Sequence, residues 1–493
     1  MSEPLIFEKS RAGRRGANLP ECDVPTVDPV ALLGRENIRK HLPLPEVSEL
    51  DVVRHFTHLS NRNYSIDGGI YPLGSCTMKY NPKVNEKAAA IPGFASLHPL
   101  QPEECVQGAL AVIYELQAML SEICGMSMTT LQPSAGAHGE LLAMMMVKAY
   151  HADRGESHRN IVVIPDAAHG TNPASAARCN FKVKGVPSNS RGYTDLDALD
   201  RALDGNVAAF MLTNPNTVGL FESDIVEICR KVHDAGGLVY CDGANMNAML
   251  GITRPGDMGF DVMHFNLHKT FSTPHGGGGP GCGAVSVQPC LAPYLPVPTV
   301  TQHGTGEAKT YTFDYDRPQS IGKIHSFYGA FLLAVRAYTY IRGLGAPGMR
   351  EIGENALLNA NYVRARLAEY YEVAYGNQTC MHEVVLSVQK QKQEHGVRAL
   401  DISKRLMDFG FHPPTNYFPL IVPEALMIEP TETESKQTLD EFIAAMIQIA
   451  KECEENPGIV TGAPHNTVVS RLDETQAVKQ LDLRYEPALA DPA

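Results

Sequence analysis

The fold of this chain is decided by one stretch, His264-Phe265-Asn266-Leu267-His268-Lys269-Thr270-Phe271, which continues through Ser272-Thr273-Pro274-His275 into four glycines at 276–279. Residues 261–265 are typical of a short strand, and a lysine among polar residues follows it. Lys269 suits neither a core position, where an unpaired ammonium is costly, nor an ordinary surface position, because apolar and tight-turn residues surround it. A half-buried lysine of this kind is typical of Schiff-base chemistry, since desolvation favours the neutral, nucleophilic amine.

A second strand end lies upstream, where the compact apolar run 237–241 ends at Asp242. Open α/β sheets bind their ligands at the C-terminal ends of their strands. A pyridoxal phosphate enzyme needs an aspartate that keeps the pyridine nitrogen protonated and a lysine that holds the aldehyde as an aldimine. Taken alone, Asp242 is better explained as a loop cap and Lys269 as a surface lysine. The pair in its surroundings predicts a pyridoxal phosphate site.

The composition excludes several classes of protein. The 493 residues suffice for one large α/β domain and a smaller one. Apolar residues make up 44% and charged residues 20%, which is ordinary for a globular protein. The net charge of −13, from 42 basic and 55 acidic residues, argues against binding to nucleic acid or to an anionic membrane.

Targeting and metal-binding patterns are also missing from the sequence. The opening residues Met1-Ser2-Glu3-Pro4 lack the apolar centre of a signal peptide, and we find no run long enough to span a bilayer. The eleven cysteines are scattered without a C-x-x-C pair, so neither a zinc site nor a disulfide framework is indicated. We therefore expect a cytoplasmic enzyme with reduced thiols and no metal ion.

Strands and helices alternate through the middle of the chain. The predicted strands 160–164 and 207–212 end in polar segments that contain His169 and Thr213, and a helix is predicted over 224–235. His169 is either a satisfied loop histidine or a ring that stacks on a cofactor. This alternation predicts a mainly parallel sheet with helices on both faces.

Two loop segments are candidates for the same site. Ser134 is a plausible N-cap of a helix, and small residues at 134–137 suit the approach of backbone N–H groups to a phosphate. Taken alone, that segment is better explained as an ordinary capped helix. Residues 63–82 are rich in glycine, proline and hydroxyl groups and are predicted to be a long loop that carries Cys76, Thr77 and Lys79.

The domain limits are predicted from changes in composition. We expect an arm and loop segment at 1–90, a large cofactor-binding domain at 91–345, a small α+β domain at 346–470 and a loosely held tail at 471–493. Glycines and a proline at 343–348 mark the predicted hinge. Residues 301–320 are predicted to be a polar loop that is a candidate to reach a site, either in this subunit or in a neighbouring one. Strands are predicted at 383–388 and 418–422. The helices predicted around these segments are 105–123, 328–341, 355–371, 398–409 and 439–453.

These motifs together resemble one known family, the P-protein of the glycine cleavage system, also called glycine decarboxylase. The segments that carry the resemblance are YPLGSCTMKYNP at 71–82, DGANMN at 242–247 and NLHKTF at 266–271 with the glycines that follow. The likeness runs from about Leu42 into the C-terminal domain. The length and the lysine resemble subunit 2 of the two-chain form.

The resemblance implies a fold type I pyridoxal phosphate enzyme, with a mainly parallel large domain and a smaller α+β C-terminal domain. Glycine forms an aldimine with the cofactor and loses CO2, and the aminomethyl group passes to the lipoyl arm of the H-protein. The family pattern makes Lys269 the Schiff-base lysine, Asp242 the pyridinium partner and His169 the stacking ring. It implies a heterotetramer with a related subunit 1. The cofactor contacts it implies also include Ser134, Ala135, Gly136 and His268 around the phosphate and Thr213 near the ring hydroxyl.

Three alternatives stay open at the level of the sequence. Another fold type I activity, such as an amino-acid decarboxylase or an aminotransferase, shares the lysine and the aspartate, although a transaminase usually needs an arginine that no motif here supplies. A non-catalytic partner subunit is disfavoured by Lys269. A nucleotide-binding loop at 276–281 is weaker still, because the Gly-Lys-Ser/Thr that such a loop requires does not follow.

Overall fold

The computed structural model describes residues 3–39, 42, 44–275 and 281–485. The glycines at 276–279 and residues 486–493 of the predicted tail lie outside the described residues. The chain divides into two compact units, one made of Met1–Ser65 with Pro464–Ala493 and the other of Ile66–Ala463. The domain limits given above stay a prediction.

The α-helices of the described residues begin and end as follows. In chain order they are α1 (Pro29–Leu33), α2 (Glu49–Ser60), α3 (Lys83–Ala89), α4 (Pro92–Ala95), α5 (Gln107–Cys124), α6 (Gly136–Asp153), α7 (Thr171–Arg178), α8 (Leu196–Ala202), α9 (Ile225–Asp234), α10 (Pro255–Met258), α11 (Leu267–Thr270), α12 (Phe331–Leu367), α13 (Gln389–His395), α14 (Ala399–Asp408), α15 (Lys436–Glu455), α16 (Pro457–Thr461) and α17 (Glu474–Lys479).

The strands fall into three sheets. A seven-stranded sheet contains β1 (Met128–Thr130), β2 (Ile161–Pro165), β3 (Lys182–Val186), β4 (Val207–Thr213), β5 (Leu238–Gly243), β6 (Val262–Asn266) and β7 (Gly283–Val287). A hairpin is formed by β8 (Thr299–His303) and β9 (Thr310–Asp314), and a four-stranded sheet by β10 (Glu372–Val373), β11 (Val384–Ser387), β12 (Thr415–Asn416) and β13 (Ala425–Ile428).

The seven-stranded sheet has the order β1-β7-β6-β5-β4-β2-β3. Strands β3, β2, β4, β5 and β6 are parallel, while β7 and β1 are antiparallel to their neighbours. Because parallel strands need crossover connections, helices alternate with them along the chain. The mainly parallel sheet predicted from the alternating pattern is confirmed.

Helices cover both faces of this sheet. Successive residues of β4 point to opposite faces: Phe210 and Leu212 pack in one apolar core with α5, α9 and α12, and Ala209 and Met211 pack in another with α6 and α7. A strand that is apolar on both faces in this way is typical of a parallel sheet buried between helices. All seven residues of β4 are buried.

The C-terminal part is an antiparallel sheet in the order β10-β11-β13-β12, whose core includes α14, α15 and the second half of α12. The strand predicted over 418–422 is wrong, because the chain turns there and the strand follows at β13. Pro419 lies inside the predicted strand and Pro423 directly follows it, and proline cannot donate to a ladder. Helix α12 is interrupted at Gly345, with φ 63° and ψ −176°, inside the predicted hinge.

The polar loop predicted over 301–320 is only partly correct, because the hairpin β8–β9 occupies residues 299–314. Tyr311 and Phe313 alternate with threonines, and this period of two is the pattern of a strand. The many polar residues of this segment made the strand pattern hard to recognise in the sequence. The tip of the hairpin, residues 303–310, is exposed.

The other unit contains α1, α2 and α17. Helix α2 begins with a capping box, in which Ser48 accepts from the Asp51 N–H and the Asp51 carboxylate accepts from the Ser48 N–H. In the described part of the chain, no helix combines the length and the apolar character that a membrane crossing requires.

Candidate active site

Asp242 lies at the C-terminal end of β5 and is 1% exposed. Its Oδ1 accepts from the Ala244 N–H at 2.9 Å, and its Oδ2 accepts from the Thr213 hydroxyl at 3.3 Å. Burial opposes ionisation, but His264, the Ala244 N–H and the charge of Lys269 together lower the pKa of Asp242 below its usual range. The side chain is therefore an ionised carboxylate at the base of the site.

Lys269 lies in α11, the short helix that directly follows β6, and is half-buried. Strands β5 and β6 are neighbours with Asp242 opposite His264, so the lysine is brought to the same sheet edge as the aspartate. The charge of Lys269 also acts on His169 and on Glu140. Three predicted residues, Lys269, Asp242 and His169, therefore converge on one site.

His264 is a site residue that the sequence analysis missed. Its ring is fully buried, with Nδ1 2.5 Å from the Tyr240 hydroxyl and Nε2 3.1 Å from the Asn266 amide. Nε2 also lies 3.7 Å from Asp242 Oδ1. Burial lowers the pKa of His264 to about 4, so the ring is neutral near pH 7. A histidine in the middle of an otherwise apolar strand was the signal that pointed to it.

His169 belongs to a hydrogen-bonded chain that ends at a buried carboxyl group. The Thr171 hydroxyl lies 2.9 Å from His169 Nδ1 and donates to Glu140 Oε1 at 3.0 Å. Burial raises the pKa of Glu140 to about 8, and the charge of Asp242 adds to the rise. Burial lowers the pKa of His169, so its ring is neutral near pH 7. The network fixes the imidazole ring near Asp242 without adding a second negative charge.

Glu140 makes the stability of the cofactor-free chain depend on pH. Its pKa rises from about 4.5 in the unfolded chain to about 8 in the folded one. Its contribution to folding is therefore complete below pH 4.5 and is lost as the pH rises through 8. Between pH 5 and 8.5, we expect the free energy of unfolding of the wild-type chain to fall by on the order of 3 kcal/mol more than that of Glu140→Gln. Denaturant unfolding at both pH values measures it, and equal pH dependence in the two proteins would exclude the assigned protonation.

The N-terminus of α6 differs from its predicted form. The N-cap is Ala135 and not Ser134, and the Ser134 hydroxyl instead lies 3.3 Å from His138 Nδ1. Extended backbone at Ala135 places the first turn one residue later than predicted. Among the described residues, no side chain caps the helix and its first turn contains no acidic residue. Free N–H groups and the positive end of the helix dipole suit an anion such as a phosphate.

Gly136 brings the start of α6 against the end of β6. A Cβ atom at this position would lie 1.7 Å from Asn266 Oδ1. Because Asn266 is buried against His264, we expect Gly136→Ala to lower the free energy of unfolding by about 1–3 kcal/mol and to weaken cofactor binding. The matched control is Gly108→Ala in α5, where an added Cβ meets nothing within 4 Å. Thermal unfolding and cofactor titration check both variants, and indistinguishable results would contradict the close packing.

The loop predicted over 63–82 contains a segment, residues 73–79, that docks on the C-terminal sheet; we call it the docking loop. Ser75 and Thr77 both have left-handed backbone, with φ 66° and 46°. The Ser75 N–H donates to Glu383 and the Thr77 N–H donates to Glu429, each at 2.9 Å. These carboxylates hold the loop in a conformation that non-glycine residues rarely adopt. The sequence analysis missed both glutamates, although each stands beside an apolar strand.

Lys79, at the end of the docking loop, is a buried structural cation. Its amine is 2.7 Å from Glu432 and 2.9 Å from the Asn247 side-chain oxygen, and it lies over the ring of Tyr340. Burial opposes the charge, but Glu432 more than offsets it and raises the pKa of Lys79. A paired cation of this kind anchors the loop.

The arrangement fits the pyridoxal phosphate predicted from the sequence. The ionised, buried aspartate suits the pyridine nitrogen of the cofactor, and the half-buried lysine suits its aldehyde. The uncapped N-terminus of α6 suits its phosphate. His268 is next to the lysine, and its Nδ1 accepts from the Cys282 N–H at 3.2 Å. The individual contacts predicted for His268, Thr213 and residues 134–136 stay predictions.

Comparison with family models matches two parts of the chain. Residues 352–469 match the C-terminal domain of glycine dehydrogenase, and residues 137–312 match the class-V aminotransferases. The second range contains β2 to β8 and the site residues on the large sheet.

Curated relatives match almost the whole chain. A probable glycine dehydrogenase (decarboxylating) subunit 2 of Chloroherpeton thalassium is 56% identical over 488 residues, which is 99% of this chain and 98% of the relative. Proteins of the same name from Staphylococcus haemolyticus and Bacillus velezensis are each 58% identical, and the matches cover 98–99% of this chain and 98% of each relative.

Solved structures match the fold. A glycine decarboxylase (P-protein) of the glycine cleavage system, in inhibitor-bound form, aligns with a TM-score of 0.72 at 21% identity, covering 85% of this chain and 94% of the other. A cysteine desulfurase from Thermococcus onnurineus aligns with a TM-score of 0.59 at 14% identity, covering 80% and 96%.

Proposed function

The chain belongs to the glycine dehydrogenase (decarboxylating) subunit 2 family, and from this premise we propose that it releases CO2 from glycine and passes the aminomethyl group to the lipoyl arm of an H-protein. It is a pyridoxal phosphate enzyme with a fold type I architecture. The observation that carries the proposal is the ionised, buried Asp242 beside Lys269 at the carboxyl ends of neighbouring strands.

Each site residue has a defined task in this reaction. Pyridoxal phosphate, when bound, supplies the electron sink for the pair left behind by CO2. Lys269 would hold the aldehyde of the cofactor, and the negative charge of Asp242 would keep a proton on the ring nitrogen. The neutral ring of His169 would pack against the cofactor, and the N–H groups of Gly136 and its neighbours at the start of α6 would receive the phosphate.

The name subunit 2 implies a partner chain, subunit 1. We also propose that glycine is the substrate and that the H-protein receives the aminomethyl group. The chain assembles with subunit 1 as a heterotetramer of two copies of each subunit. The exposed tip of the β8–β9 hairpin, residues 303–310, is a surface of this chain available to another subunit. Sites of this kind favour subunit junctions. The cytoplasmic location stays a prediction.

Dependence on the partner is directly testable. We expect the isolated chain to exchange the carboxyl group of glycine with bicarbonate slowly, and addition of subunit 1 to raise the exchange at least about tenfold, because the partner completes the pocket. The measurement is incorporation of labelled bicarbonate into glycine with H-protein supplied.

Two controls define the result. The partner alone should show no exchange, and the complex without H-protein reports what the lipoyl arm contributes. Full exchange by the isolated chain, with no gain when the partner is added, would disprove the dependence while leaving the activity intact.

A further inference from the structure

Three polar side chains are fully buried where the C-terminal sheet meets the docking loop. His382 and Glu383 directly precede β11, and Glu429 directly follows β13. All three are 0% exposed. Val384 pairs with Ile428 in the antiparallel ladder, so the three residues lie side by side. One ring nitrogen of the histidine and one carboxylate oxygen of each glutamate lie within 4.8 Å of one another.

Among the described residues, only two of the four carboxylate oxygens of Glu383 and Glu429 accept a hydrogen bond. Oε2 of Glu383 accepts from the Ser75 N–H, and Oε2 of Glu429 accepts from the Thr77 N–H. Within the described part of the chain, Oε1 of each glutamate and both ring nitrogens of His382 are without a hydrogen-bond partner. Two neighbouring carboxylates cannot both remain ionised in such a site, because burial and mutual repulsion oppose the second charge. One proton is therefore held by the pair.

The pKa shifts agree with this geometry. Burial raises the pKa of Glu429 to about 7. Burial and the charge of Glu429 raise the pKa of Glu383 well above its usual range. Burial lowers the pKa of His382 to about 3, so that ring does not carry the proton near pH 7.

The pair lies within electrostatic reach of the reactive lysine. The titratable groups directed at it are Cys76 from the docking loop, Lys269 from α11, His382, and Glu432 beyond β13. Glu432 is already paired with the buried lysine of the loop. The charge of Lys269 acts on both glutamates and on His382. The pair therefore lies on the lysine side of the site.

The histidines, the aspartate and Glu140 of the site are poorly suited to give up a proton there. His169, His264 and His268 have lowered pKa values and are neutral near pH 7. Asp242 is ionised. Glu140 is protonated but lies beside the aspartate and is bonded to the threonine of the His169 network.

We propose that Glu383 and Glu429 form a carboxyl pair that holds one proton on the lysine side of the site and gives it to the departing sulfur of the lipoyl disulfide. This inference rests on the proposed function. Glu383 binds Ser75, 308 residues away, and Glu429 binds Thr77, 352 residues away. The two glutamates therefore also join the docking loop to the site.

The transfer consumes one proton, which such a donor can supply. A C–S bond forms between the aminomethyl carbon and one sulfur of the disulfide, and the S–S bond breaks. Its electron pair leaves on the second sulfur, which becomes a thiolate. The thiolate takes the proton of the carboxyl pair, and the pair regains one proton from solvent. One proton is thus consumed for each CO2 released.

The proton itself can be observed without turnover. We expect the infrared spectrum of the purified chain at pH 7 to contain the C=O band of a buried, protonated carboxyl group that weakens in both Glu383→Gln and Glu429→Gln and is lost when the two substitutions are combined. In each single variant the remaining glutamate no longer faces a like charge, so its pKa falls, although burial still favours its protonated form. Glutamine keeps an oxygen that accepts the loop N–H, so the docking loop stays held.

Two controls assign the band. Glu140→Gln should remove a different component and leave the pair's band in place, and the exposed Glu394→Gln should change neither. A spectrum in which neither pair variant alters a protonated-carboxyl band would overturn the proposal, whatever the activity of the protein.

The role of the proton is tested in the complex with subunit 1 and H-protein. We expect Glu383→Gln to slow aminomethyl transfer to the lipoyl arm roughly a hundredfold or more, while cofactor affinity changes less than twofold. The wild-type transfer rate should fall as the pair loses its proton at high pH, and the variant should lack this decline. Mass spectrometry of the H-protein measures the transferred group.

The outcomes separate this inference from the proposed function. Wild-type transfer with an unchanged rate and pH profile in Glu383→Gln would refute the proton donor alone. A wild-type complex that released no CO2 from glycine would refute the proposed function, and the infrared result would still decide whether the pair holds a proton.

Discussion

Lys269→Ala is expected to lower glycine carboxyl exchange by roughly a thousandfold or more. Alanine has no amine to hold the cofactor aldehyde, and it removes the positive charge that acts on Asp242 and His169. The purified wild-type chain should be yellow, and the variant should lose that absorption on dialysis. The substitution lies in a half-buried helix of four residues, so the fold should be retained.

A chemical test accompanies the kinetic one. Borohydride treatment should fix the cofactor on a single peptide that contains Lys269, and Lys182→Ala, at an exposed lysine of β3, should leave both label and activity unchanged. Recovery of the label on a peptide without Lys269 would show that the assignment is wrong.

Asp242→Asn is expected to keep the cofactor bound but to lower turnover roughly a hundredfold to a thousandfold. The amide has nearly the shape of the carboxylate, so its oxygen can still accept from the Ala244 N–H. It has no charge, and a neutral partner cannot hold the proton on the pyridine nitrogen. The measurements are cofactor stoichiometry, visible spectrum and exchange rate.

The control for this substitution is Asp234→Asn, at an exposed aspartate of α9 that pairs only with Arg230 among the described ion pairs. It should match the wild-type chain in every measurement. Near-normal exchange by a well-folded Asp242→Asn protein would remove the aspartate from the mechanism and leave the lysine assignment untouched.

The residues that sequence alone predicted well are those whose roles follow from local position. Asp242 and Lys269 each stand at the end of an apolar strand, and neighbouring parallel strands place such ends together. The alternation of strands and helices likewise sufficed for the large sheet. Both inferences depend on short segments, where pattern and structure are directly related.

The errors come from competing local signals. At 418–422 an apolar run suggested a strand, but Pro419 and Pro423 prevent pairing. In the β8–β9 hairpin, threonines and glycines suggested a loop, although Tyr311 and Phe313 follow the alternation of a strand. Ser134 has a favoured capping side chain, yet the helix begins at Gly136 and the hydroxyl faces His138.

The buried glutamates could not be predicted from local sequence patterns. Glu383 and Glu429 bind residues of the docking loop from more than 300 positions away, and no periodicity relates segments so distant in the chain. His264 differs, because its place in an apolar strand is visible in the sequence, but its bond to Tyr240 forms only when β5 and β6 pair.

The contacts of the docking loop also have a consequence for biosynthesis. Ser75 and Thr77 leave the ribosome long before Glu383 and Glu429 are translated, so their left-handed backbone has no carboxylate to hold it during most of elongation. Contacts of such wide sequence separation form late. A nascent chain that stops between residues 270 and 382 therefore contains both Asp242 and Lys269 but neither glutamate that holds the loop. Completion of the site is thus one of the last events in the maturation of the polypeptide.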